Sequence, residues 1–299
     1  MTALASPARS HHAAPAAETV APGVVLAVRD MTKLYGPGCP ECLRQTGPAV
    51  NRTTCPVCGT VVACAEITFD LKAGATLGIV GESGSGKTTV LRCLYGDTGP
   101  TTGVATLLTL GQPGRDLFTL DPQDRRRVRN FDIGMVYQTP RQGLRFSISA
   151  GGNVAERLLA AEWRQIKRIR DRAAELLDRM EVPLSRMDDM PANFSGGMQQ
   201  RVQIAKALAN EPVILLLDEM TSGLDVSVQA GVLDLVQEIQ HESNIAVIVV
   251  SHDLGVIRLL SDTAMVMKNG CIVERGVTDQ ILEDPRHPYT QLLVSSVNS

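Results

Sequence analysis

No apolar run in this 299-residue chain approaches the roughly 18 residues needed to span a bilayer. The N-terminus also lacks the hydrophobic core of a secretion signal. An excess of one charge is missing as well: a formal net charge of −3 gives no general reason to expect nucleic acid. Arg125, Arg126, Arg127 and Arg129 form a basic cluster, but no aromatic residue is interleaved with them. A solvated helix face is the better reading of that stretch than a nucleic-acid patch. These absences predict a cytoplasmic protein, free or docked on a membrane protein, with no direct nucleic-acid partner.

The residues that are present are ordinary for a globular protein, 44% hydrophobic and 20% charged. Residues 1–23 are rich in Ala, Pro and Ser, show no periodicity, and read as a disordered tail. His11 and His12 in that tail read as solvated. A strand is expected from 24–28 onward, followed by Tyr35, an aromatic placed to stack on a flat ring.

Seven cysteines include two Cys-x-x-Cys pairs, Cys39/Cys42 and Cys55/Cys58, twelve residues apart. Without an export signal, these suggest metal or redox chemistry more than structural disulfides. Each pair can form a knuckle, with Pro stiffening the turn and Gly59 permitting a left-handed residue. Four thiolates close a tetrahedral shell, so a structural Zn²⁺ is the expected occupant; a redox pair and an iron–sulfur centre are the alternatives. Cys64, Cys93 and Cys271 sit in apolar contexts and read as small buried residues. This four-cysteine insertion is expected to project from a β-rich edge, distant from the glycine-rich stretch at 81–89.

That stretch is the strongest motif in the chain. Residues 81–89 read Gly-Glu-Ser-Gly-Ser-Gly-Lys-Thr-Thr and fit the G-x-x-x-x-G-K-[ST] pattern between an apolar strand at 77–80 and a helix. Gly81, Gly84 and Gly86 let the backbone close around phosphates, with N–H groups pointing inward from Ser85, Lys87, Thr88 and Thr89. Lys87 is expected on the β- and γ-phosphates and the Thr88 hydroxyl on Mg²⁺.

Further along, 133–137 reads as a short buried strand ending at Gln138. The period then turns helical from about 147 to 190. Phe194 to Arg201 reads FSGGMQQR and starts a helix, where Ser195, Gly196 and Gly197 offer a second set of free N–H groups to an anion. An apolar strand at 213–217 ends in Asp218-Glu219, an acid suited to Mg²⁺ followed by one able to polarise a water. Ser222-Gly223-Leu224-Asp225 follows directly. Another strand at 246–250 ends in Ser251-His252-Asp253, and Asn269-Gly270 reads as a hairpin turn.

This set of motifs, in this order over residues 24 to about 285, resembles the ATP-binding cassette (ABC) ATPases. The resemblance implies an α/β fold of the P-loop NTPase class. It has a mainly parallel sheet core, a β-rich edge subdomain and a helical signature subdomain. Here residues 37–60 are an insertion, 139–193 or so the helical subdomain, and 286–299 a C-terminal tail. It implies ATP and Mg²⁺ as cofactors, with Tyr35 stacking on adenine and Thr88, Gln138 and Asp218 around the metal. Glu219 would be the general base, and His252 would hold the γ-phosphate and attacking water. Two cassettes, identical or related, would pack head to tail on ATP binding. Ser195, Gly196, Gly197, Gln199 and Asp225 of one would then complete the site of the other. The chemistry is consistent, since phosphoryl transfer needs placed cations and N–H groups more than covalent catalysis.

Within that family, residues 139–153, 194–203, 225–229 and 287–296 resemble the ATP-binding subunit of the bacterial carbon–phosphorus lyase system. Such a cassette acts on a soluble phosphonate-degrading core complex. The motor of a peptide- or nickel-importing transporter is the alternative, sharing the His-Pro-Tyr-Thr tail at 287–290. An ATP-gated clamp with little turnover is a third reading. Arg141 and Arg145 around Leu144 are expected to give a charged docking rim beside one apolar anchor. The chain departs from the family at Met220, where Pro usually follows the base; Pro would bias Glu219 toward an extended backbone.

Overall fold

The structure is a computed structural model that describes residues 21–108 and 114–296. The tail expected at 1–23 lies almost wholly outside the described residues. Among the described residues there are ten strands: β1 (Val24–Tyr35), β2 (Val61–Lys72), β3 (Thr76–Val80), β4 (Thr102–Leu107), β5 (Arg115–Asp116), β6 (Ile133–Val136), β7 (Ile214–Asp218), β8 (Ala246–Ser251), β9 (Thr263–Lys268) and β10 (Cys271–Val277). They form two sheets. One is antiparallel, in the order β2-β1-β4-β5. The other has the order β10-β9-β3-β8-β7-β6, and all its pairs are parallel except β10 against β9.

The helices are α1 (Lys87–Tyr95), α2 (Pro122–Arg127), α3 (Pro140–Gly143), α4 (Ala150–Ala160), α5 (Ile166–Arg179), α6 (Gly196–Ala207), α7 (Val226–Ser243), α8 (Leu254–Leu260), α9 (Thr278–Glu283) and α10 (Pro288–Ser295). Local chemistry sets several of their starts. Asp121, Ser149, Ser195, Asp225 and Asp253 each accept a backbone N–H of the first turn through the side chain. Caps of this kind contribute about 1 kcal/mol each.

The six-stranded sheet is buried on both faces, and strand alternation divides its side chains between two cores. Leu215, Leu217, Val247 and Val249 pack with the helices α4 to α8. Ile214, Leu216, Ala246, Ile248 and Val250 pack with α1 and the antiparallel sheet. Each fully buried Leu or Ile of these strands contributes about 1.5–3 kcal/mol relative to exposure. Trp163, just after the turn that follows α4, is exposed, so the packing role expected of it is at most partial.

The parallel pairing also fixes where the chemistry sits. Val80 pairs with Ser251, Asp218 with Val250, and Val136 with Leu217. The C-terminal ends of β3, β6, β7 and β8 therefore align within about a residue, and the loops after them share one edge, where open α/β sheets bind ligands.

The insertion between β1 and β2 is a small module with its own core of Cys42, Cys55, Val62 and Ala65. It does not stand apart from the phosphate loop as expected. The Asn269 amide donates to Asn51 Oδ1 at 3.0 Å, and the next residue, Gly270, donates its N–H to Ser85 O at 3.0 Å. One tight turn joins the module to the loop. Its left-handed Asn269 and Gly270 (φ 46° and 83°) are those of the expected hairpin.

The segment after Gln138 is also more firmly held than its polarity suggests. Leu144, expected as a surface anchor, is 5% exposed and belongs to the helical core, so it offers nothing to a partner. Fully buried Asn153 holds the loop ahead of it. Its Oδ1 accepts from Arg145 N at 2.8 Å, and its amide donates to Arg145 O at 2.9 Å and Ser149 O at 3.0 Å. Asn153→Ala leaves these buried groups unpaired and is expected to lower stability by about 1–3 kcal/mol in chemical denaturation. A variant as stable as wild type would mean that water replaces the amide.

Candidate functional site

Residues 81–89 wrap from the end of β3 into α1. Two of the glycines are required by close backbone approach. A Cβ on Gly81 would lie 2.2 Å from Met267 O, and one on Gly86 (φ 105°) would lie 2.1 Å from Ala63 O. The loop is thus pressed between β9 and β2 and runs directly into the start of α1. Ser85 is buried beneath it and Thr89 lies in the first turn of α1. Gly84 (φ 80°) turns the loop where nothing crowds it.

Lys87 Nζ donates to Gly81 O at 2.8 Å and Glu82 O at 2.9 Å, and stands 3.8 Å from Glu219 Oε1. Burial holds this ammonium below its ordinary pKa range, against the pull of the Glu219, Asp218 and Glu82 carboxylates. Thr88 Oγ1 donates to Asp218 Oδ1 at 2.8 Å. Burial raises the Asp218 carboxyl, and the Thr88 hydrogen bond opposes that rise. A hydroxyl beside a carboxylate on rigid elements is an oxygen donor pair of the kind Mg²⁺ takes when phosphates supply further ligands.

Glu219 is the meeting point of the site. Its Oε2 accepts from Gln138 Nε2 at 2.8 Å and lies 3.4 Å from His252 Nδ1, while Oε1 faces Lys87. Three residues far apart in the chain reach one carboxylate because β3, β8, β7 and β6 end side by side. Beyond it, a cleft of about 150 Å³ is lined by Glu219, Ser222, Gln229, His252 and Asp253 among others. A larger cleft of about 610 Å³ lies between Arg29 and Arg275 but contains none of the motif residues.

Glu219 corrects one expectation. Its backbone is left-handed (φ 43°), not extended, with its N–H bonded to Val250 O at 2.9 Å. Met220 is 2% exposed and packs in the helical core. The residue that replaces the usual Pro thus fills volume and does not loosen an extended segment.

The other motif residues stand apart. Ser195 caps α6 by accepting from Met198 N, and Gly197 lies so close to α7 that a Cβ would meet Val228 Cγ1 at 2.3 Å. Gly196 is open. Asp225 caps α7. The Gln199 amide does not point outward to a ligand as expected; it donates to Pro191 O at 2.9 Å and Phe194 O at 3.1 Å, tying down the turn before the helix. Among the described residues no hydrogen bond or ion pair joins residues 195–199 to the phosphate loop. Tyr35 ends β1, 46% exposed, with the Lys33 ammonium 4.8 Å from its ring centre.

The four cysteines converge. Their sulfurs all lie within 4.8 Å of one another, with separations of 3.6 Å for Cys39–Cys42, 3.7 Å for Cys39–Cys55 and 3.5 Å for Cys42–Cys58. A tetrahedral Zn–S₄ shell with bonds of about 2.3 Å has edges of about 3.8 Å, so the donor set fits. Hydrogen bonding with Thr60 holds the Cys58 thiol below its ordinary range, at about 6, whereas burial pushes Cys39 and Cys42 up. Cys271, expected to be buried, is half-exposed beside this cluster.

One connection escaped the sequence reading. Gln203, 1% exposed, pairs with the Tyr137 backbone, accepting its N–H at 2.8 Å and donating to its O at 3.0 Å. It clamps α6 to the residue before Gln138. The available signal was a glutamine between Val202 and Ile204 on a helix buried nearly all round.

A carboxylate held as Glu219 is can take a proton from a water attacking a phosphate. Glu219→Gln is expected to keep ATP binding and to slow hydrolysis by about 10²–10⁴. Lys87→Ala should instead lose binding. Unchanged turnover in the Gln variant would remove Glu219 from that position.

Comparison with known proteins agrees with this geometry. The sequence pattern of the ABC transporter family matches residues 64–222, and that of the oligopeptide/dipeptide transporter C-terminal region matches residues 273–299. The chain is 45% identical, over 273 residues, to the phosphonates utilization ATP-binding protein PhnK of Escherichia coli (strain K12), covering 91% of this chain and 97% of that one. It is 39% identical to the oligopeptide transport ATP-binding protein OppD of Bacillus subtilis (strain 168), covering 80% of this chain and 67% of that one. The fold is similar to the dimeric, post-hydrolysis structure of the ATP-binding cassette MJ0796 bound to ADP and Pi. There the TM-score is 0.70 at 27% identity, over 85% of this chain and 98% of that one. By sequence pattern, relatives and fold, this chain belongs to the ABC transporter family and is an ATP-hydrolysing cassette.

Proposed function

We propose that this cassette serves phosphonate catabolism, hydrolysing ATP in association with a carbon–phosphorus lyase core complex. The observation that carries this reading is the 45% identity to PhnK over 97% of that protein. The peptide-import relatives are matched over a smaller share of their length, 67–72%. An importer motor remains the second reading, favoured by the match of residues 273–299 to the oligopeptide/dipeptide transporter C-terminal region. No helix among the described residues is long and apolar enough to cross a membrane.

The geometry supports the following residue roles. Residues 24–285 act as the cassette, with a helical unit at about 139–193 and a C-terminal tail at 286–299, of which the described α10 packs back onto it. Residues 81–89 bind the phosphates, Tyr35 stacks on adenine, and Thr88, Asp218 and Gln138 surround Mg²⁺. Glu219 is the general base, with His252 beside it. Ser195, Gly196, Gly197 and Asp225 meet the nucleotide of a second cassette, either another copy or a related subunit. The separation of residues 195–199 from the loop within one chain supports that division of labour. A structural Zn²⁺ on Cys39, Cys42, Cys55 and Cys58 is part of the same proposal, supported by the sulfur spacing.

The docking face is the segment after Gln138. Arg141 is exposed and stacks on the Phe146 ring at 4.9 Å, while Arg145 is paired with Glu156 at 2.8 Å. Arg141 and half-buried Phe146, not Leu144, therefore present the cation and the apolar surface to a partner.

The protein is expected to dimerise with ATP and Mg²⁺ and to co-purify with lyase-core subunits without detergent. Arg141→Glu should abolish that association and leave ATP binding intact. Capture of a permease in place of the core would replace this reading with the importer, and near-zero turnover with every partner present would favour an ATP-gated clamp. For the cysteines, elemental analysis should find about one Zn²⁺ per chain. Visible absorption of an iron–sulfur centre, or a metal-free chain with an ordered insertion, would refute zinc.

A further inference from the structure

The last helices return the chain to the phosphate loop. Glu274 on β10 accepts the N–H of Arg286 at 2.8 Å and of His287 at 3.0 Å, which fixes where α10 starts. The His287 ring then caps that helix, accepting from Tyr289 N at 3.1 Å. Tyr289 is carried inward to 5% exposure, and its hydroxyl accepts the N–H of Glu82, inside the phosphate loop, at 3.2 Å. The Lys268 ammonium lies 4.7 Å from the centre of the same ring. Lys268 ends β9, and the turn that follows it donates Gly270 N–H to Ser85 O at 3.0 Å. The loop is thus gripped from outside at two backbone atoms, Glu82 N and Ser85 O, on either side of Ser83 and Gly84.

From this we infer that Tyr289 is a positioning residue for nucleotide binding: its hydroxyl holds Glu82 so that the glycine-rich loop is already shaped when phosphates arrive. The inference rests on the ATP-binding activity and is independent of which partner the cassette serves. The physical need is entropic. Glycine loses more backbone freedom on ordering than any other residue, and this loop has three, at 81, 84 and 86. Ordering it before binding removes that cost from the affinity. Burial raises the Tyr289 phenol above its usual range; the bond from the Glu82 N–H opposes that rise and the Glu82 carboxylate adds to it. The ring's packing and the hydroxyl's bond are separable, because Phe retains the first and lacks the second.

The test uses the full chain and its Tyr289→Phe variant, with Mg-ATP and Mg-ADP binding measured by calorimetry. Amide exchange at Glu82 and the unfolding midpoint without nucleotide are measured in parallel. The variant should bind both nucleotides about 3- to 10-fold more weakly, the loss of one neutral hydrogen bond. The Glu82 amide should exchange faster, with the unfolding midpoint unmoved. Lys268→Met, which removes the cation from the ring face, should weaken binding in the same sense but less. Wild-type affinity in the Phe variant would overturn the inference. So would slow Glu82 exchange in that variant, or an affinity loss accompanied by a general fall in stability, which would mark Tyr289 as packing alone. The wild-type isotherm tests ATP binding itself, so failure of that activity is seen separately.

Discussion

The register of the parallel sheet is the constraint on which the site depends. Hydrogen bonds pair Val80 with Ser251 and Asp218 with Val250. A slip of one residue would turn every side chain of the moved strand to the other face. Here that would exchange Leu215 and Leu217 with Ile214 and Leu216 between two filled cores. The burial of both faces therefore locks the register, and the register places Gln138, Glu219 and His252 within reach of one another. The geometry at this edge follows from the packing of strands whose candidate site residues, apart from Asp218 at the end of β7, lie in the loops after them.

Around that edge the loops are held by backbone contacts more than by side-chain chemistry. The turn Asn269-Gly270 touches Asn51 of the cysteine module and Ser85 of the phosphate loop, and Ala65 N–H bonds to Gly270 O at 2.8 Å. The phosphate loop thus shares one small turn with both the insertion and, through Lys268, the C-terminal helix. An element that looks like an appendage in the sequence is part of the frame around the nucleotide. On the other side, Gln203 joins the signature helix to the strand that delivers Gln138. Gln138 in turn donates to Glu219, so α6 and that carboxylate are joined through one short stretch of backbone.

The sequence by itself determined the chemistry. The phosphate loop, Asp218-Glu219, the signature and His252 were legible because each follows a short local pattern whose function depends on residue type and spacing. The cysteine pairs were legible for the same reason, and the strands because β-branched and aliphatic runs leave no other use for themselves. Only the tertiary structure decided which of these residues meet. Glu219 gathers Gln138, Lys87 and His252 through strands that are neighbours in space and far apart in sequence. Leu144 turned inward and Gln199 turned back on its own helix start, because a residue's direction is set by what packs against it and not by its neighbours in the chain. The left-handed backbone at Glu219 and the reach of Tyr289 to Glu82 have no local signature at all. They arise from long-range packing, which a linear pattern does not carry.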